Sequence, residues 1–168
     1  MVDGVSVEAA SRADLETLVE QWVVLVASQR SFGTHLESES NREAARDVLG
    51  QYLAGERVLV ARPDPEYDGP AAGLPILGFA MFYRETGLYE QDVHRGVVEN
   101  LYVEPAARRL GIGTALLEAA ERELADRGAT VVALSVMAAN EGGRAFYRAH
   151  GYETHRVTLQ RALDDTGD

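Results

Sequence analysis

The sequence contains neither cysteine nor lysine, and these two absences exclude several kinds of chemistry. Without cysteine there can be no disulfide, no thiolate metal ligand and no thiol nucleophile. Because all 16 basic residues are arginine, a Walker-type phosphate loop, a Schiff base and a lysine nucleophile are excluded as well. The four histidines lack the spacing that is typical of metal ligands. We therefore expect no metal site.

Long apolar runs are also missing from the chain. No run approaches the roughly 20 residues that span a bilayer, and the opening residues resemble no secretory signal. The sequence therefore predicts a cytoplasmic protein. Its net charge of −11 disfavours nucleic acid and anionic membranes as partners. Two explanations of this charge stay open: a high-salt or GC-rich source, and a cationic substrate attracted by the field of the protein.

The length of 168 residues and the apolar content of 46% predict one globular domain with a real core. Ser11, with Asp14 three residues later, is predicted to cap the first helix. The second helix is predicted to have one apolar side, formed by Ala45, Val48, Leu49, Tyr52 and Leu53. Hydrophobic periodicity predicts strands at residues 5–7, 58–61, 76–83, 96–103, 131–136 and 157–159, and helices at 11–30, 41–53, 111–127 and 140–150. The strand at 131–136 is expected to be buried. The helix at 111–127 has an apolar stripe, and Gly128 is expected to end it.

The order of these elements indicates the fold class. The strands between residues 58 and 103 follow one another without a helix, which predicts an antiparallel meander and argues against a doubly wound parallel sheet. We expect a single α/β (α+β) domain over residues 1–163, with a mixed, largely antiparallel sheet of about six to seven strands and about four helices. Residues 164–168 are predicted to be a disordered acidic tail.

A glycine-containing turn joins the strand at residues 96–103 to a long helix. The free N–H groups and the dipole at that helix start favour an anion, and Gly111 and Gly113 would let a pyrophosphate approach the backbone. Successive amides from Arg109 to Thr114 can form an anion nest. A dinucleotide fingerprint would need Gly where the sequence has Leu116, so that class is disfavoured. A tight turn that binds nothing is the plain alternative.

Two motifs resemble the GNAT superfamily of acyl-CoA-dependent N-acetyltransferases. Arg108-x-x-Gly111-x-Gly113, after a strand ending Val103-x-Pro105, is similar to the pyrophosphate-binding signature of that family. The segment at 140–152 resembles its N-x6-Y-x3-G-(Y/F) motif. The resemblance covers residues 97–152, extends to the first strand and helix, and implies a GNAT-like fold.

A narrower resemblance concerns the diamine N-acetyltransferase branch, which residues 76–83 and 98–103 look like. Asn100 stands where that branch commonly has Asp, which removes one carboxylate from the presumed amine pocket. Arg109 stands where Gly is frequent, although its backbone donor is retained.

The resemblance also implies acetyl-CoA as co-substrate and gives roles to individual residues. Glu99 becomes the general base that accepts the amine proton, and strand alternation puts it on the face of Val97 and Leu101. Tyr147 becomes the general acid, because a neutral phenol can protonate the leaving thiolate. The residues implied to bind the co-substrate are Leu101, Tyr102, Val103, Arg108, Arg109, Leu110, Gly111, Ile112, Gly113, Thr114, Asn140, Gly143 and Tyr147.

Each of these roles has a structural alternative. Glu99 can be a strand carboxylate that faces solvent or pairs with an arginine, and Tyr147 can be a core aromatic. Asn140 fits a helix cap as well as a contact with the pantetheine arm.

The sequence as a whole predicts an N-acetyltransferase that moves an acetyl group from acetyl-CoA to a primary amine by direct attack in a ternary complex. The acceptor stays open between a small amine or amino acid and a protein amine. The alternative function is a non-catalytic acyl-CoA-binding sensor domain. The oligomeric state is open too, although members of this family often form homodimers.

Overall fold

The computed structural model describes residues 2–163, so the acidic tail predicted at residues 164–168 lies outside the described part of the chain. Of the described residues, those up to Ser135 form one compact unit and those from Val136 onward form a second. Within residues 2–163 no helix is both long enough and apolar enough to cross a membrane.

The first unit is a five-stranded sheet with three helices, and the second contains one helix. The strands lie in the order β1-β2-β3-β4-β5. The first three pairings are antiparallel and the last is parallel, which confirms the predicted meander and the mixed sheet. The elements are β1 (Val5–Ala9), α1 (Leu15–Gln29), α2 (Arg42–Ala54), β2 (Val58–Pro63), β3 (Gly78–Arg84), β4 (Arg95–Val103), α3 (Ile112–Asp126), β5 (Val131–Leu134) and α4 (Glu141–Ala149).

Helices cover both faces of the sheet in the first unit. A Cβ atom added to Gly78 would collide with the carbonyl oxygen of Tyr102 on β4 and would lie 3.2 Å from a methyl group of Leu116 on α3. One added to Gly96 would lie 2.8 Å from a methyl group of Leu124. Gly78 therefore leaves room for the β4 backbone, and Gly96 lets α3 approach the sheet closely. The core on the α1 and α2 side consists of Leu18, Val19, Leu25, Leu49, Leu53, Val58, Val60, Ile76, Phe79, Met81 and Tyr102.

Ser11 is the N-cap of a short 3-10 turn, Arg12–Asp14, that leads into α1, so the predicted cap lies one turn before the α-helix itself. Oδ2 of Asp14 accepts hydrogen bonds from the backbone N–H of Ser11 at 2.8 Å and from its hydroxyl at 3.1 Å. Nη2 of Arg62 donates to both carboxylate oxygens of Asp14, at 3.0 and 3.1 Å. Burial opposes the charged carboxylate, but the Ser11 backbone bond and Arg62 outweigh it and hold the pKa of Asp14 below its ordinary value.

Three details of the prediction are wrong. Residues 152–163 contain no strand, so the described residues hold five strands rather than six to seven. Val48 is 46% exposed, because α2 buries only a narrow stripe formed by Ala45, Leu49 and Leu53. Val131, expected in a buried strand, is 38% exposed, since β5 is the terminal strand of the described sheet. The α/β class is unaffected by these differences.

Candidate functional site

β4 contains a β-bulge at Glu99. Val98 pairs with Phe82 of β3 and Asn100 pairs with the adjacent Met81, so Glu99 is the extra residue that has no partner on β3. A bulge of this kind re-aims side chains and increases the local twist of the strand. The carboxylate of Glu99 is exposed, and within residues 2–163 it makes no ion pair and no hydrogen bond.

The bulge also changes which side chains share a face with Glu99. Val97 lies opposite Tyr83, whereas Leu101 lies opposite Ala80. Because Tyr83 and Ala80 are three residues apart on β3, they point to opposite faces of the sheet, and so do Val97 and Leu101. The expectation that Val97 and Leu101 lie on one face was therefore wrong, because simple alternation does not continue through a bulge.

Beyond the bulge, β4 separates from its parallel neighbour. β5 pairs with β4 only from Arg95 to Val98, and Val98 lies opposite Leu134, the last residue of β5. No residue of β5 therefore pairs with residues 99–103. An extended ligand that bonds to the backbone of Leu101 and Val103 needs this kind of opening at the strand edge.

The turn after β4 has an unusual backbone. Arg109 and Gly111 both have left-handed conformations, with φ of 62° and 89°. Arg109 is therefore strained at a position that suits glycine. Nε of Arg108 donates to the carbonyl oxygen of Val103 at 3.0 Å, which ties the turn back to the strand. Arg108, Arg109 and Leu110 are all exposed.

The start of α3 is open to an anion. Gly111 precedes the helix as its N-cap and makes no side-chain capping bond within the described residues, and the first turn of α3 contains no acidic residue. The first hydrogen bond of the helix runs from the backbone N–H of Ala115 to the carbonyl of Gly111. The N–H groups of Ile112, Gly113 and Thr114 therefore lie before the first i to i−4 hydrogen bond of the helix. Such groups, together with the helix dipole, favour a phosphate.

The side chains of two predicted binding residues belong to the core. Tyr102 and Ile112 are only 2% and 1% exposed as whole residues. Tyr102 packs on Phe79 with 5.8 Å between ring centroids. A ligand of the turn therefore cannot reach these two side chains.

The second unit contains the other predicted site residues. Oδ1 of Asn140 accepts a hydrogen bond from the backbone N–H of Gly143 at 2.9 Å, so Asn140 caps α4. A Cβ atom at position 143 would lie 2.7 Å from Nδ2 of Asn140, which explains a glycine in the first turn of this helix. The cap accounts for Asn140 without any ligand.

Tyr147 lies on α4 between two aromatic neighbours. Its ring centroid is 5.2 Å from that of Phe146 and 5.8 Å from that of Tyr152. Burial raises the pKa of Tyr147 to about 12. The phenol therefore stays protonated at neutral pH, as a proton donor must.

Sequence reasoning missed residues that surround Glu99 and the end of β4. Gln21 of α1 is buried, and its Nε2 donates to the carbonyl of Ile76 at 2.9 Å and to Oε1 of Glu104 at 3.0 Å. It thereby fixes the first residue after β4. A glutamine inside the apolar stripe of a helix is a signal that could have identified it. Tyr52 and Tyr83 were also missed, because their neighbours depend on the tertiary fold.

Among residues 2–163 no group of three potential metal ligands comes together. Comparisons with known proteins identify the family. A model of the "Acetyltransferase (GNAT) family" matches residues 26–152. Aminoglycoside N(6')-acetyltransferase type 1 from Klebsiella aerogenes is 30% identical over 129 residues, which is 75% of this chain and 82% of that protein.

Solved structures share the fold. A GCN5-related N-acetyltransferase from Ralstonia eutropha has a TM-score of 0.72 at 24% identity and covers 95% of this chain and 99% of its own. The NatC complex bound to Gag peptide and CoA has a TM-score of 0.67 at 15% identity, covering 90% of this chain and 86% of that one.

The chain therefore belongs to the GNAT family of acetyltransferases. The predicted superfamily, fold class and enzymatic nature are confirmed. The roles of individual site residues stay predictions.

Proposed function

We propose that this protein, as one domain over residues 1–163, transfers an acetyl group from acetyl-CoA to a primary amine by direct attack in a ternary complex. The observation that carries the proposal lies on one strand. β4 presents the exposed carboxylate of Glu99 in a bulge and then leads into the uncapped start of α3. β4 thus connects the proposed base to the proposed anion site. The CoA bound in the NatC structure supports acetyl-CoA as the acetyl donor.

The start of α3 fits the pyrophosphate of the donor. The backbone N–H groups from Arg109 to Thr114 would bind it, because Gly111 has no side chain to cap the helix and the first turn of α3 contains no acidic residue. Leu101 and Val103 would hold the pantetheine arm through their peptide groups. Asn140 and Gly143 would contribute further contacts, as the family resemblance implies.

Acetyl-CoA supplies an activated acetyl thioester. The acceptor nitrogen forms the new C–N bond as the C–S bond breaks, and Glu99 accepts the proton that the amine loses, directly or through water. Tyr147 donates its phenolic proton to the departing thiolate.

The acceptor is a small amine, an amino acid or a protein amine. The name of the Klebsiella relative supports an amine-rich small molecule. A diamine is the narrower proposal from the sequence, but Asn100 offers an amide where that branch has a carboxylate. The negative charge of the chain suits any cationic acceptor.

A panel of amines with acetyl-CoA tests the proposal through the release of free thiol. The panel contains monoamines, diamines, aminoglycosides, amino acids and peptides with a free N-terminus or lysine. We expect turnover with at least one class and loss of turnover in Glu99→Gln. No thiol release above hydrolysis with any class would contradict the proposed reaction.

Binding of the donor is tested at Thr114, in the first turn of α3. Thr114→Glu places a carboxylate at the proposed pyrophosphate site. An acidic residue in the first turn also stabilises the helix when no ligand is bound. Thr114→Gln is the matched neutral control. We expect the glutamate variant to bind acetyl-CoA at least roughly tenfold more weakly than the glutamine variant, about 1.4 kcal/mol, with equal or higher thermal stability. Equal affinities would count against the phosphate site.

We also propose that the protein forms a homodimer. Val157 and Leu159 occupy alternate positions, and Val157, Leu159 and Leu163 are 68%, 88% and 82% exposed. β5 is the terminal strand of the described sheet. An alternating segment from a second copy can extend such an edge. Light scattering should give twice the monomer mass. Leu159→Arg should give monomers and Thr158→Arg should not, and a monomeric wild type at high concentration would overturn this proposal.

A further inference from the structure

Two tyrosines lie on the same face of the sheet as Glu99. Tyr83 pairs with Val97, two residues before Glu99, and the bulge keeps Glu99 on that face because Asn100 then pairs with Met81. Tyr52 of α2 meets Tyr83 edge to face, with 6.4 Å between ring centroids and an interplanar angle of 87°. Both tyrosines are partly exposed. The carboxylate of the proposed base and two aromatic rings therefore share one face of the sheet.

The other charged groups around these rings already have partners. Nη1 of Arg95 lies 3.3 Å from Oε2 of Glu85. The guanidinium of Arg57 lies over the ring of Tyr52, 4.4 Å from its centroid, and Nη2 of Arg57 donates to the carbonyl of Gln51 at 3.3 Å. The Tyr52 ring thus already holds one cation on its face. In residues 2–163 the carboxylate of Glu99 has no such partner.

The charge of Glu99 dominates the field at the two phenols. Burial raises the pKa of Tyr52, and Glu99 raises it further against the opposing effect of Arg57. Burial and Glu99 likewise raise the pKa of Tyr83, with Glu85 adding to them and Arg95 opposing. Both phenols are therefore neutral at physiological pH, and the charge of Glu99 is the feature of this face that would attract a cation.

We propose that Tyr83 and Glu99 bind the acceptor in its ammonium form, with Tyr52 as the residue that holds the Tyr83 ring in place. This inference rests on the proposed function. An ammonium within about 6 Å of an aromatic face is attracted by the ring quadrupole, and a nearby carboxylate adds a charge-assisted bond. Because Arg57 occupies the ring of Tyr52, Tyr83 makes the direct contact. Glu99 then accepts one proton from the ammonium that the ring has positioned, which leaves the neutral amine as nucleophile, and the second proton that the nitrogen loses as the amide forms goes to water.

Kinetics with matched variants test the role of the ring. Tyr83→Phe keeps the aromatic face and removes the hydroxyl, whereas Tyr83→Leu removes the face. We expect Tyr83→Leu to raise the KM for the amine roughly fivefold, with kcat and the KM for acetyl-CoA nearly unchanged, and Tyr83→Phe to stay within twofold of wild type. Tyr83→Met, an unbranched apolar replacement, serves if the leucine variant fails to fold.

A probe that cannot be acetylated separates this inference from the proposed function. Tetramethylammonium chloride is titrated into the wild-type protein without acetyl-CoA at constant ionic strength, and the ring resonances of Tyr83 are followed by NMR. We expect saturable shifts that Glu99→Gln weakens, and none with tert-butyl alcohol, an uncharged molecule of similar size. This readout survives even if no amine is acetylated. No saturable shift at Tyr83, equal shifts with the alcohol, or an unchanged amine KM in an active, folded Tyr83→Leu or Tyr83→Met would overturn the inference.

Discussion

The side-chain oxygen of Asn140 accepts a hydrogen bond from the backbone N–H of Gly143, with 2.9 Å between the two atoms. Serine in place of Asn140 retains a capping oxygen but loses the amide donors, and alanine loses both. We predict that Asn140→Ala lowers the free energy of unfolding by about 1 kcal/mol and Asn140→Ser by much less. If the amide also contacts acetyl-CoA, both variants raise the KM for acetyl-CoA. A wild-type KM in Asn140→Ser would leave Asn140 as a cap alone.

The left-handed conformation of Arg109 predicts a difference between two variants that both lose the guanidinium. Arg109→Gly suits a φ of 62°, whereas Arg109→Ala keeps the strain. We expect the glycine variant to be more stable than the alanine variant by about 1 kcal/mol in urea unfolding. Equal stabilities would mean that the turn does not hold this conformation in solution.

The buried Asp14 predicts a loss of stability in acid. Its pKa is lowered in the folded state, so its contribution is present above the unfolded pKa near 3.9 and disappears as the pH falls through the folded value. Asp14→Asn should lower the free energy of unfolding at pH 7 by about 1.5–3 kcal/mol, the range for hydrogen bonds to charged groups. The difference between variant and wild type should shrink towards pH 3. A difference that does not depend on pH would show that charge is not the cause.

The elements that could be predicted from sequence are those with a regular apolar period and a clear signal at their end. The apolar stripe of α3 and Gly128 after it predicted the helix, and Gly128 indeed has a φ of 87°. The meander followed from the missing helix signals between residues 58 and 103. These signals are local, so each one can be recognised without knowledge of the partner strands.

The features that were missed depend on partners far away in sequence. The bulge at Glu99 exists only in the register of β4 against β3, and Tyr52 reaches Tyr83 only because α2 packs on that face. The strand predicted at residues 157–159 has suitable alternation, but a strand also needs a neighbour to accept its hydrogen bonds. Alternation alone therefore overpredicted the sheet and misassigned the face of Leu101.

Tyr147 is predicted to act as an acid over a wide pH range. Burial raises its pKa to about 12, so deprotonation of this phenol should not limit kcat between pH 7 and 10. Tyr147→Phe keeps the ring and removes the proton, and we expect kcat to fall roughly 100-fold while acetyl-CoA affinity is nearly retained. A wild-type kcat in Tyr147→Phe, measured where chemistry limits turnover, would leave Tyr147 as a packing residue.

The most direct test of the account is the pH–rate profile of Glu99→Gln with an accepted amine. The variant keeps the shape of the side chain and removes its charge and basicity, so kcat/KM should fall roughly 100-fold at neutral pH. Tyr52 and Tyr83 have raised pKa values and stay neutral over most of this range. The deficit should shrink towards pH 10, because the free amine is then abundant near its own pKa of about 10. A deficit that stays constant from neutral to alkaline pH, or no deficit at all, would contradict the role of Glu99 as the base.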